Sequence, residues 1–323
     1  MSLIKKPEQI ENKTILKGMI YGVPGSGKTT LALSAPKVLL IDTDNGVTRV
    51  EKRLWPDTVQ VKGYADVLGV LQEDLSEYDT LVIDTAGKLV DYMADYAMAQ
   101  NPAYRQNDGS LTQKGWGAIK VMFKDLFRNM EKMGKNLIFV AHEKEERDGE
   151  TRVLRPDIAG SAKNDLIKEL DFMGYLNIVN DKRTLHLSPT AKFYAKNSIG
   201  IEECLPLWST KEKSNTFLTE IVFAHVEKAK AEEAAKKQQY DRLLNDMQQV
   251  IETNPVNMAL ETIQKAKHIW DSKLVCWKRL TEKATAEGLE YDKETKKFVA
   301  KKVEQKEEKE VKDEQVSADS DAV

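Results

Sequence analysis

Gly22-Val23-Pro24-Gly25-Ser26-Gly27-Lys28-Thr29 combines three glycines with a closing Lys-Thr pair. Those residue types at that spacing suit one task, which is holding a chain of phosphates. Glycines let backbone N–H groups turn inward around phosphate oxygens, and a helix opening near Lys28 adds the positive end of its dipole. Lys28 then neutralises the β- and γ-phosphates, and Thr29 offers a hydroxyl to Mg²⁺. Gly22, Val23, Pro24, Gly25, Ser26, Gly27, Lys28, Thr29 and the adjoining Thr30 are the expected nucleotide contacts.

Carboxylates complete such a site. Asp84 ends the apolar run Thr80-Leu81-Val82-Ile83 and, with Thr29, is the expected holder of Mg²⁺, acting through water. Its plainer alternative is a helix N-cap ahead of Lys88. Thr85 follows it, where many ATPases of the AAA+ kind keep a catalytic Glu, so the base must come from elsewhere. Asp42 and Asp44 follow another apolar run, and period-two alternation turns both to one side. Asp44 lies further out and is the expected base; an Asp/Asn/Gly turn is the competing reading. Asp84-Thr85-Ala86-Gly87 also fits the D-x-x-G element of GTPases. The guanine reader that should accompany it is missing: Ala162-Lys163-Asn164-Asp165 lacks the amide or hydroxyl at its first position. ATP is therefore the expected nucleotide.

The elements that must position these residues alternate. Ile15 to Tyr21, Val38 to Ile41, Thr80 to Ile83 and Asn136 to Ala141 read as strands apolar on both faces, as in a parallel sheet. Helix-length segments lie between them: Lys28 to Ser34, Ala65 to Tyr78, Lys88 to Ala99 and Trp116 to Met133. The expected fold class is α/β, a wound and mostly parallel sheet flanked by helices, with ligands at its carboxyl edge. Phe172 to Val179 and Arg183 to Leu187 read as an antiparallel hairpin extending it. Helix follows from Thr216 to Leu244, and Ile263, Ala266, Trp270, Leu274, Trp277 and Leu280 read as one face of an amphipathic helix. The expected organisation is a lead-in over 1–13, an ATPase core over 14–225, a helical appendage over 226–290 and a charged, disordered tail over 291–323. Residues 303–323 hold eight acids and three lysines.

Composition narrows the function class. The 323 residues carry 49 Lys and Arg against 52 Asp and Glu, so any nucleic-acid or membrane-binding surface must be local. The two cysteines, Cys204 and Cys276, have no metal-ligand spacing. No apolar stretch approaches the roughly 18 residues of a membrane span, and no signal-peptide run opens the chain. A cytoplasmic protein is expected.

In order, the P-loop, Asp42-x-Asp44, Asp84-Thr85, a strand ending in His142 and a late lysine segment resemble the RecA-like ATPases over about residues 14–208. More narrowly they resemble the phage-encoded RecA-like proteins of single-strand annealing and recombination, often labelled phage AAA-type nucleotide-binding proteins. The resemblance implies that Asp44 positions the attacking water, where RecA has the longer Glu. It implies that His142 senses the γ-phosphate, where RecA has Gln. It implies homo-oligomers in which a neighbour supplies a lysine. Lys196 in Tyr194-Ala195-Lys196-Asn197-Ser198 matches the first of RecA's two, while Ser198 replaces the second; Lys192 is the reserve. It also implies two DNA-contacting loops. Asn101 to Gly117 carries Tyr104, Arg105, Lys114 and Trp116. Glu143 to Asn164 carries Lys144, Arg147, Arg152, Arg155 and Lys163, diluted by Glu143, Glu145, Glu146, Asp148 and Glu150. Stacking beside a basic groove holds single strands without reading sequence.

The expected activity is ATP hydrolysis, with Mg²⁺, by a protein that binds single-stranded DNA and promotes annealing or homologous recombination in phage DNA metabolism, in the host cytoplasm, alongside a single-strand-binding protein. The alternatives are a helicase-loader ATPase acting on a protein, and an interaction protein that binds ATP with negligible turnover.

Overall fold

The computed structural model describes residues 3–5, 15–160 and 162–301. The chain divides into two compact units, residues 1–231 and 232–323. The first unit opens with β1 (Lys17–Gly22), α1 (Lys28–Ala32), β2 (Val38–Asp42), β3 (Asp57–Gln60) and α2 (Tyr64–Val70). It continues with β4 (Thr80–Asp84), α3 (Ala86–Gln100), α4 (Gln113–Lys132), β5 (Asn136–Asp148), β6 (Thr151–Pro156) and α5 (Ala162–Glu169). It closes with β7 (Phe172–Val179), β8 (Lys182–His186), β9 (Lys196–Asn197) and β10 (Cys204–Pro206).

These ten strands form one sheet, in the order β10-β8-β7-β1-β5-β4-β2-β3, with β6 on β5 and β9 on β7. The six strands from β7 to β3 run parallel, and β8, β10, β6 and β9 are antiparallel additions. This is the mostly parallel α/β sheet, with a glycine loop between β1 and α1, that the sequence predicts. The central strands are apolar on both faces because helices cover both. Met19, Tyr21, Ile83 and Phe139 join one core with α2, α3, α4 and α5. Ile20, Leu40, Val82 and Val140 join the other, on the side of α1. The parallel register places Gly22 beside His142, and Asp84 beside both Asp42 and Val140. The strands that lead to the glycine loop, the three candidate acids and His142 thus end at one edge, as crossover connections require.

Several elements differ from the sequence reading. The helix expected over 65–78 stops at Val70, where Leu71 caps it and a loop held by the Asp74 side chain at the Ser76 N–H follows. Helix α1 has only five residues, because Ser34 turns its hydroxyl onto the Leu31 carbonyl. The loop expected over 143–164 is largely the β5–β6 hairpin, in which six residues of each strand pair.

In the second unit, α6 (Ala224–Thr253), which starts in the first, is followed by α7 (Val256–Lys265), α8 (Ser272–Ala286) and the hairpin β11 (Leu289–Asp292) and β12 (Lys297–Ala300). The amphipathic face expected over 263–280 is two helices. The chain extends at Ala266, Trp270 takes φ 49°, and His268 bridges the break from the Ile263 carbonyl to the Ser272 hydroxyl. The tail expected from 291 is ordered as far as residue 301. Phe298 is buried and packs its ring against Trp277 and Tyr291, aromatics that give this unit a core of its own. The rest of the expected tail, 302–323, lies outside the described residues, as do residues 1, 2 and 6–13 of the lead-in and residue 14 at the start of the core. No helix among the described residues is long and apolar enough to cross a membrane.

Candidate nucleotide site

The loop Gly22–Gly27 leaves β1 at the sheet edge and enters α1 at Lys28. Gly27 sits at φ 96°, a left-handed conformation that glycine adopts without a steric penalty. With α1 so short, the backbone amides and Lys28 supply the positive potential more than any macrodipole does. Lys28 is 6% exposed, and its Nζ donates to the Val23 carbonyl at 2.8 Å. Burial lowers its pKa, opposed by the fields of Asp84, Glu143 and Asp44. The Ser26 hydroxyl is buried with no hydrogen-bond partner among the described residues.

Thr29 Oγ1 donates to Asp84 Oδ2 at 2.5 Å. Asp84 is 3% exposed, and burial pushes its carboxyl up to about 6 against the pull of the Thr29 hydrogen bond, with Asp44 and Asp42 adding to the rise. The N-cap of α3 is Thr85, whose side chain accepts from the Lys88 N–H. Asp84 is thus free of that task. A hydroxyl and a desolvated carboxylate in contact are the hard oxygen donors that Mg²⁺ takes alongside phosphate oxygens. The site fits the ion, which would be held by Thr29 and Asp84 and would neutralise charge on the phosphates.

Asp42 and Asp44 separate clearly. Asp42 spends both oxygens on backbone, Oδ1 accepting from the Gly46 N–H at 2.8 Å and Oδ2 from the Val47 N–H at 3.0 Å. It is the turn-former. Asp44 instead faces side chains, with Arg49 Nη1 at 3.2 Å and His142 Nε2 at 3.9 Å. A Cβ on Gly46 would stand 3.5 Å from Asp44 Oδ1 and 3.8 Å from Asp84 Oδ2, so both acids border one space. No group of three or more acidic, His or Cys side chains among the described residues is arranged to cage a metal. Thr43, between the two acids, ties β2 to β4. Its N–H donates to the Asp84 carbonyl at 2.7 Å, and its hydroxyl accepts from the Thr85 N–H at 2.7 Å and donates to the Thr85 carbonyl at 3.0 Å.

His142 ends the parallel part of β5. Burial, then the field of Lys28, holds its pKa below the usual value, so the ring is neutral at pH 7. Its Nδ1 is buried without a hydrogen-bond partner among the described residues. Lys196 is not brought to this edge. Its partner Met173 pairs with Met19, three residues before Gly22, and its Nζ donates to the Ile167 and Lys168 carbonyls at the end of α5. Lys192 is exposed beside β6, with its carbonyl accepting from the Leu154 N–H.

The DNA candidates fall into two sets. Tyr104 lies in a short 3₁₀ turn and packs on the core, while Lys114 and Trp116 open α4 instead of standing in a loop, because Thr112 caps that helix. Trp116 is 37% exposed, and its ring packs on Gly160, where a Cβ would come within 2.7 Å. In the second set most cations are neutralised locally. Glu146 accepts from Arg155 at 3.1 Å and Lys163 at 2.7 Å, Glu145 pairs with Arg152 at 3.0 Å, and Asp157 lies 3.9 Å from Lys144. Arg105 and Arg147 are exposed.

Two residues that the sequence did not single out stand at the site. Glu143 holds one buried carboxylate oxygen without a hydrogen-bond partner among the described residues, lies beside the Tyr175 hydroxyl, and acts on Lys28 through its field. Its position one residue past His142 was the available signal. Arg183 donates from Nε to the Ser26 carbonyl at 2.9 Å, across 157 positions of sequence, and nothing in the chain announced it. The GTPase-like Gly87 has a packing explanation, since a Cβ there would meet the Asp157 carbonyl at 2.6 Å.

The model of the AAA domain family AAA_24 matches residues 14–199. No curated protein matches the chain. Among solved structures it is similar to the RadB recombinase, at 16% identity over 53% of this chain and 79% of that one, with a TM-score of 0.34. It is likewise similar to the KaiC-like protein PH0186 from Pyrococcus horikoshii OT3, at 12% identity over 53% and 77%, with a TM-score of 0.34.

Proposed function

We propose that this chain, which belongs to the AAA_24 family of AAA domains, hydrolyses ATP with Mg²⁺ and couples the reaction to single-stranded DNA in annealing or homologous recombination. The observation that carries the ATPase reading is the contact of Thr29 Oγ1 with Asp84 Oδ2, set beside Lys28 at the mouth of the glycine loop. Hydrolysis requires a water to attack the γ-phosphorus as the bond to the bridging oxygen breaks. Asp44 is the acid placed to orient that water and take its proton. Neutral His142, beside Asp44, offers hydrogen bonding without adding charge. Lys28 stabilises the charge on the transferring phosphoryl group.

Asp44→Asn lowers turnover about 100-fold while leaving ATP affinity nearly unchanged, because shape survives and the base does not. Asp42→Asn acts instead on the fold, costing about 1–3 kcal/mol through the backbone amides it leaves poorly matched. Turnover assays paired with thermal melts check both. Normal turnover in Asp44→Asn with loss in Asp42→Asn reverses the assignment.

The DNA reading is supported by Trp116, which joins the two candidate segments at Gly160 while keeping part of its ring exposed. Oligomer formation belongs to the same reading, with exposed Lys192, or Lys196 once it leaves the Ile167 and Lys168 carbonyls, reaching a neighbour's site. The experiment is ATP turnover with and without single-stranded DNA. Stimulation supports the reading; no stimulation by DNA, with stimulation by a protein partner, favours a loader. Binding should weaken steeply with salt. Glu146→Gln, by removing the negative charge beside Arg155 and Lys163, strengthens single-strand binding about tenfold at low salt and less at high salt. Unchanged affinity at low salt removes the hairpin from the DNA surface.

A further inference from the structure

Residues 265–279 lie in the second unit, beyond the stretch that the AAA_24 model matches. They hold five cations, Lys265, Lys267, Lys273, Lys278 and Arg279, against one acid, Asp271. That acid accepts from the Tyr240 hydroxyl at 2.7 Å. The four lysines are exposed, and none of the five cations forms an ion pair among the described residues. The β5–β6 hairpin is the opposite case, since Glu145 and Glu146 there neutralise Arg152, Arg155 and Lys163.

Two apolar side chains stand exposed among these cations, Trp270 at 43% and Leu274 at 67%. Helix α8 buries Ser272, Cys276 and Leu280, so Leu274 and Lys278, one turn apart, look away from its core face. Trp270 sits in a turn with φ 49°, a conformation costly for a bulky residue. Hydrogen bonds brace that turn. His268 joins the Ile263 carbonyl at 2.7 Å to the Ser272 hydroxyl at 3.0 Å, and the same hydroxyl accepts from the Ile269 N–H at 3.0 Å. The Tyr240 ring backs the indole, with centroids 5.3 Å apart. An indole fixed in this way, half in water and flanked by lysines, is more than packing requires.

We infer that this surface holds single-stranded DNA, with a base stacked on Trp270 and the surrounding lysines on phosphates. The inference rests on the DNA reading and places a contact outside the ATPase unit. Charge complementarity selects the partner. A row of phosphates matches a cluster of unpaired lysines in a chain whose net charge is −3. The exposed indole selects unpaired bases, which offer their faces, over a duplex, whose bases are already stacked.

Fluorescence anisotropy of a labelled oligothymidylate, titrated with the full chain, tests the assignment. Trp270→Ala should weaken binding about tenfold, and Trp270→Phe, which keeps an aromatic face, should retain most of it. Lys267→Glu combined with Lys273→Glu should weaken it about 100-fold at low salt and flatten its salt dependence, because phosphate contacts are lost. Both lysines are exposed and unpaired, so this variant tests the surface even where Trp270→Ala loosens the turn. Wild-type affinity in Trp270→Ala and in the lysine variant removes this surface, while the DNA reading stands on the ATPase unit. If the wild-type chain binds no oligothymidylate, the DNA reading fails and this assignment falls with it. Polyglutamate bound as tightly as the oligonucleotide, with Trp270→Ala affecting neither, overturns the assignment in favour of an acidic protein.

Discussion

Replacing Lys28 with Ala lowers ATP turnover about 1000-fold, the upper end of what one transition-state donor contributes. The expectation rests on position and on environment. Lys28 is buried at the loop mouth, and burial costs its charged form while Asp84, Glu143 and Asp44 favour it. A cation kept in such a place interacts with phosphate far more strongly than a solvated one does. Its one side-chain hydrogen bond among the described residues, to the Val23 carbonyl, is local, so the variant should melt close to the wild type. Single-turnover hydrolysis together with a thermal melt separates the two effects. Near-normal turnover in a folded variant removes the loop from the chemistry.

Asp84→Asn acts in two opposite directions. The carboxyl is pushed up to about 6 from an ordinary 3.8, chiefly by burial. Its folded-state pKa thus exceeds its unfolded value. The group's contribution to stability is fully present below about 4 and is lost as pH rises through about 6. At pH 7 the ionised carboxylate is a cost, and the Asn amide oxygen can still accept from Thr29. The variant is therefore more stable than the wild type at pH 7, by on the order of 1–3 kcal/mol, and the gap closes by pH 4. Mg²⁺-dependent nucleotide affinity falls by about tenfold or more, because the carboxylate that holds the ion is gone. Melts across pH 4 to 8 and nucleotide titrations with and without Mg²⁺ read both effects. Lower stability at pH 7, or undiminished dependence on Mg²⁺, contradicts this role for Asp84.

The site was legible where local sequence dictates local structure. The glycine loop, the strand-terminal acids and His142 follow from apolar runs that end in polar residues, and a parallel sheet brings such ends to one edge. The choice between Asp42 and Asp44 followed from reach along the strand; the hydrogen bonds to Gly46 and Val47 add the reason that Asp42 is occupied. Contacts between distant segments left no such trace. The β7–β8 hairpin was legible, but Arg183 reaches Ser26 only because β7 lies beside β1, a pairing that no residue near either position encodes. The hairpin β5–β6 reads as a loop in the sequence because its strands are charged. Cross-strand pairs of opposite charge stabilise it as apolar pairs would, and Arg152 beside Glu145 is one such pair. The interruption between α7 and α8 was hidden because a three-and-four spacing persists across it.

Thr43 gives the edge of the sheet an unequal stiffness. Three hydrogen bonds at one residue lock the ends of β2 and β4, so Asp44 and Asp84 behave as a fixed jaw whose opening is set by the backbone. Shifting one acid against the other means breaking buried hydrogen bonds, each costly to leave unmade. His142, on the far side of Asp84's strand, is tied elsewhere: its carbonyl accepts from the Asp157 N–H at 2.8 Å, and its strand runs on into the β5–β6 hairpin. The edge thus has two separate anchorages, the acids bound to each other and the histidine bound to the charged hairpin.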